Sequence, residues 1–161
     1  MVAEPVRYMT SLVAQQITAA PPEMSDSAVL RTAIHELGVF VIEHRDWLGA
    51  LRTVIQQSPH LSATHQGVPP EREHELTWLL AARQKSAASQ ESAASQGNAA
   101  GQGNAAGQES AEPDWRLRLL VACSVAAFRI WHDDYLRGMT VAPLTRLDEM
   151  MTAVSHPDRD G

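Results

Sequence analysis

Between Pro113 and Arg137 the chain reads PDWRLRLLVACSVAAFRIWHDDYLR, with helix-start residues at its head and no glycine or proline inside. From Leu119 to Ala127 it has almost no polar side, Ser124 carrying the one hydroxyl. A helix that lies on a surface keeps one apolar stripe, whereas a helix apolar nearly all round has to be covered on several sides. At about 1.5 Å per residue such a segment crosses a small domain from end to end. The pattern therefore predicts a central helix, packed by other helices of its own chain on one side and open to a second subunit on another.

The rest of the sequence supports an all-α fold, an antiparallel bundle of about six helices with room for a short seventh. The apolar residues are mostly Ala, Leu and Val, joined by two Phe, two Tyr and four Trp, a set that suits closely packed helices. The first helix is expected over about Glu4 to Ala19, with Val6, Met9, Val13 and Ile17 on one face, ending before Pro21 and Pro22. The second follows the cap residues Ser25, Asp26 and Ser27. Its stripe is Leu30, Ala33, Ile34, Leu37, Val41 and Ile42, and Gly38 within it implies close approach of a neighbouring helix. Asp46 is expected to cap a third helix, Trp47 to about Gln57, with Leu48, Leu51, Val54 and Ile55 inward. After a break with a short turn around Leu61 to His65, a fourth runs from Glu71 to about Gln84. Gly138 ends the central helix, and a last one occupies Ala142 or Pro143 to Val154.

Residues 85 to 108 are four consecutive hexads, KSAASQ, ESAASQ, GNAAGQ and GNAAGQ. They hold no large apolar residue, so burial cannot offset the entropy lost on ordering them. The expected division is thus helices over 1–84, a flexible low-complexity loop over 85–112, the central and last helices over 113–155 within the same domain, and a disordered tail over 156–161.

Charge and motif content narrow the function. Thirteen Lys and Arg face nineteen Asp and Glu, for a formal net charge of −6, and no basic cluster offers a face to phosphates. Direct nucleic-acid contact and a membrane span are not expected, and lone Cys123 with no signal segment points to the cytoplasm. Seven histidines include His60, His65 and His74, but no metal-ligand spacing, and His132, Asp133 and Asp134 are consecutive and point different ways. Cys123 has no base nearby in sequence, and no phosphate loop is present. An enzyme, a metal site and a cofactor are therefore not expected. Large side chains on inward helix faces, Phe40, Trp47, Trp78, Phe128 and Trp131, with Arg31 and His35 as polar contacts, are candidates to line a pocket for an apolar small molecule; the plain alternative is that they fill the core.

The ordered set of helices and junctions resembles the C-terminal regulatory domain of TetR-type transcriptional regulators. The residues carrying the resemblance are the polar hinge His44-Arg45-Asp46, the short helix ending at Ser58-Pro59, the element Leu80-Ala81-Ala82-Arg83-Gln84, the stretch PDWRLRLLVACSVAAFRIW and the final helix Leu144 to Val154. The likeness spans about residues 3 to 155, broken by the hexads, and rests on helix patterns. It implies an effector site between helices and a four-helix dimer interface built by the last two helices of each subunit, with Leu119, Ala122, Ala126, Ile130, Leu147, Met150 and Met151 as its residues here. The alternative is burial of these side chains within the chain. Nothing in the sequence matches the family's helix-turn-helix, so the expectation is an effector-binding and dimerisation domain without its DNA-binding head. It would form a homodimer, or a heterodimer with an intact regulator. The rival is a stand-alone helical interaction protein without a pocket.

Overall fold

Caps and prolines set the helix limits in the computed structural model, which describes residues 3–58, 70–95 and 112–156. Six helices follow in order: α1 (Ala3–Ala19), α2 (Asp26–Glu43), α3 (Arg45–Gln57), α4 (Pro70–Ser95), α5 (Trp115–Leu136) and α6 (Pro143–Ser155). The described residues contain no strand, so the all-α expectation holds. Ser25 caps α2 by accepting a hydrogen bond from the Ala28 amide at 3.3 Å, and Asp114 does the same for α5 through the Arg116 amide at 3.3 Å. Pro143 occupies the first turn of α6, where its missing N–H would have had no partner in any case. After α5 the backbone reverses at Gly138 with φ 76°, the left-handed conformation that only glycine adopts without strain.

Two boundaries differ from the sequence reading. Asp46 does not cap α3. The helix begins two residues earlier, at Arg45, and His44 is its N-cap, with no side-chain cap bond. That single residue ends α2 as well, leaving no linker in which an aspartate cap could sit. The second difference is at the hexads, whose first two repeats are helical as far as Ser95. Lys, Ala, Gln and Glu are strong helix formers, and α4 is already nucleated upstream, so each added residue needs no new nucleus. Ser86, Ala88, Ser89, Gln90 and Ser92 are exposed, so propensity rather than burial carries this extension. The expected turn at Leu61 to His65, residues 96–111 of the loop and the tail beyond His156 fall outside the described residues.

α2 and α5 are the two central helices. α2 packs against α1, α3, α5 and α6, while α5 packs against α2, α4 and α6. Their inward residues form two apolar clusters along the molecule. One joins Val13 and Ile17 of α1, Leu30, Ala33 and Leu37 of α2, Leu76 and Leu80 of α4, and Leu117, Val121 and Val125 of α5. The other joins Ile34 and Val41 of α2, Leu48 of α3, Ala127, Trp131 and Tyr135 of α5, and Leu147 and Met151 of α6. Met9 and Phe128 pack against both clusters and bridge them. Away from the clusters, Arg83 of α4 clasps the α1–α2 turn: its guanidinium reaches Asp26 at 3.1 Å and the carbonyls of Pro21 and Met24 at 2.5 Å each.

The close approach expected at Gly38 is present. A Cβ at that position would stand 2.5 Å from Leu147 Cδ2 and 3.3 Å from Leu144 Cδ2, and Leu147 is fully buried with no room to withdraw. Gly49 in α3 has nothing within 4 Å of such a Cβ. Gly38→Leu is therefore expected to overpack the α2–α6 contact and destabilise by at least about 2 kcal/mol, whereas Gly49→Ala gains about 0.5–1 kcal/mol from helix propensity. Urea unfolding of the two variants beside the parent checks both signs.

Candidate functional site

α5 carries an aromatic ridge, Phe128, Trp131, His132 and Tyr135, because positions three and four apart share a helix face. Trp131 stacks on Tyr135 with centroids 5.5 Å apart and planes 3° from parallel, and Phe128 lies 5.6 Å from Trp131. Trp131 is fully buried, and its indole Nε1–H donates to the Pro143 carbonyl at 2.6 Å, which ties the end of α5 to the start of α6. This satisfies the one polar atom of the largest side chain in the core.

Beside Trp131 the α5–α6 connection opens a cleft of about 370 Å³, lined by Asp134, Met139, Thr140, Val141, Thr145 and Glu149 among others. It lies within the volume range of small-molecule sites, but it is open to solvent at its loop side, where Val141 is wholly exposed. Arg146 on its wall is paired with Glu149 at 3.1 Å. A second cleft, about 230 Å³ between α2 and α6, is bounded by Arg31, Thr32, His35 and Asp148. There His35 Nδ1 and Asp148 meet at 3.1 Å.

The seven residues expected to share a pocket do not surround one cavity. Arg31 and His35 border the smaller cleft and Trp131 borders the larger. Phe40 lies in a surface ladder, 5.0 Å from Tyr8 and 4.1 Å from His44. Trp47 is 47% exposed. Trp78 sits on the outer side of α4 and donates to His74 Nε2 at 2.6 Å, and Phe128 fills the seam between the two clusters. The physical reason is small residues where helices meet. Ala33, Gly38, Ala81 and Ala127 are all buried, so among the described residues the helices approach closely where these small residues meet.

The proposed interface residues divide in two. Leu147 is fully buried and Met151 is 1% exposed, both inside the chain's own second cluster, and Met150 packs partly against the same cluster. Leu147 and Met151 are therefore core residues and not interface residues: α6 turns them onto α2 and α5. On α5, by contrast, Leu119 and Ile130 are 55% and 57% exposed, Ala126 is exposed and Ala122 half-buried. Trp115, 64% exposed, extends this stripe toward the start of the helix, a member the sequence reading missed although its spacing of four from Leu119 placed it there.

Sequence reasoning also missed the partners contributed by distant segments: Asp148 for His35, and Asp133 of α5, which binds Arg52 of α3 and Arg137 of its own helix. No local pattern announces the His35–Asp148 and Arg52–Asp133 pairs, which are far apart in the chain, whereas Asp133 and Arg137 have the i,i+4 spacing of a helical ion pair. His60 and His65 fall outside the described residues. No described helix is long and apolar enough to cross a membrane. Compared with known protein families, curated proteins and solved structures, the chain matches none.

Trp131→Phe removes the donor to the Pro143 carbonyl and leaves a gap in the core. The expected loss is about 2–3 kcal/mol, accompanied by loosening of the α5–α6 connection, which amide hydrogen exchange of Gly138 to Thr145 would register.

Proposed function

We propose that this chain is an effector-binding and dimerisation domain of the TetR-like regulatory type, acting as a homodimer or as a heterodimer with an intact regulator. The observation that carries the reading is the uncovered face of α5. Trp115, Leu119, Ala126 and Ile130 form an apolar stripe on a helix whose other sides are packed by α2, α4 and α6. Small alanines between larger residues let a second helix approach closely, and a face of this kind matches its own copy across a two-fold axis. The cleft beside Trp131, with Met139 and Val141 on its wall, is the place for an apolar effector, and binding there would act by favouring one arrangement of the helices.

A second reading is favoured by the shape of the two clefts, both of which lie at the surface while the core between the helices is filled. It makes the chain a stand-alone helical interaction protein with no ligand pocket. A thermal-shift screen with apolar ligands separates the two, since a pocket gives stabilisation that rises with ligand concentration.

Dimerisation is tested on its own by size-exclusion chromatography with light scattering. The chain is expected to run as a dimer at micromolar concentration, and Ala126→Arg or Ile130→Asp to convert it to a folded monomer. A monomeric parent chain overturns this part of the reading.

A further inference from the structure

α3 is the least anchored of the six helices. Its sole buried side chain is Leu48, its N-cap residue makes no side-chain cap bond, and Trp47 and Val54 are exposed. What holds it across the end of α5 is a polar seam. Arg52 binds Asp133, and the Arg45 guanidinium lies 5.4 Å over the Tyr135 ring. His132 is the neighbour of Asp133 in that seam. Its ring stacks on Phe128 with centroids 5.9 Å apart, and its Nε2 is shut off from solvent without a hydrogen-bond partner among the described residues. The charged groups that bear on it are Arg52 from α3 and Asp133 from its own helix.

We propose that His132 is a proton-operated latch for α3. As neutral imidazole it fits beside Phe128 with its Nε2 shut off from solvent. As imidazolium it sets a second cation beside the Arg52 guanidinium and needs hydration that its position denies, so α3 lifts from α5 under mild acid. The electrostatics agree in direction: burial first, and Arg52 second, hold the imidazole below its usual 6.5, with Asp133 opposing them. A histidine depressed in the closed state takes up its proton more readily once the helix is free. Its contribution to closure is therefore complete above 6.5 and is lost as the pH falls through the closed-state value. Opening α3 uncovers the Leu48 side of the second cluster, giving the fold a conformational response that does not depend on the dimer or on a ligand.

The test is hydrogen exchange of the full chain at about pH 7.5 and about pH 5.5, corrected for the intrinsic exchange rate. Protection of the α3 amides is expected to drop at the lower pH, by at most about tenfold, while α2 and α5 keep theirs. His132→Gln and His132→Phe should each abolish the drop, Phe keeping the aromatic stack if Gln fails to fold. His44 is the other histidine at the start of α3, and His44→Gln should leave the response intact. Unchanged α3 protection in the parent chain overturns the latch. So does a response that persists in both His132 variants, or one that vanishes in His44→Gln.

Discussion

The missing side chain at Gly38 is the constraint on which one half of this structure depends. Because α2 presents bare backbone there, Leu147 and Leu144 of α6 come within contact of it, and the Trp131 ring of α5 reaches the same spot, 3.6 Å from where a Cβ would stand. Three helices thus meet at one point. Trp131 can be fully buried there because its only polar atom is bonded to Pro143, the residue that starts α6. The geometry of the connection and the packing of the core are therefore one arrangement: the tryptophan fixes where α6 begins, and the glycine fixes how closely it lies.

The other half is held differently. α1, α2, α4 and α5 share an ordinary aliphatic cluster, and its outer edge is secured by Arg83, one guanidinium shared among Asp26 and the carbonyls of a turn between prolines and a helix cap. Arginine suits this place because its planar fork presents several donors at once. In the turn after Pro21 and Pro22 the Met24 amide donates to the Pro21 carbonyl at 3.1 Å, and Arg83 adds donors to the Pro21 and Met24 carbonyls. The clasp lies midway along α4, so the helix has to run at least as far as Arg83. Once α4 extends that far with alanine-rich sequence beyond it, the helix continues through the first two hexads at little further cost.

Much of this was legible in the sequence where the determinants are local. Ser25, Asp114, Gly138 and Pro143 act on backbone groups within a few residues, and each marks a real helix end. The close approach at Gly38 was legible for a similar reason, since a glycine inside an otherwise strong helix implies a neighbour. Periodicity failed where it was asked which neighbour a face meets. Leu147 and Met151 share a face with their expected role, but the spacing of residues on a helix is the same whether the face meets α2 or another subunit. The aromatics failed in a related way. Size marked Phe40, Trp47 and Trp78 as inward, yet i,i+4 contacts with His44 and His74 let Phe40 and Trp78 sit on the surface with local partners. The lack of large apolar residues points to a loop from Lys85 onward, but helix propensity on an already formed helix carries the chain as far as Ser95.

The uncovered face of α5 has a further property that bears on self-association. A two-fold contact between copies of one helix brings like charges of its rim together, which ordinarily opposes the contact. Two arginines near this face carry their own counter-ions: Arg118 is paired with Glu112 at 3.0 Å and Arg137 with Asp133 at 2.6 Å. In the proposed dimer the apolar centre would supply the attraction, and the alanines would set the distance. The same Asp133 also serves the α3 seam, so the helix that is least anchored and the face that is least covered are joined through one carboxylate.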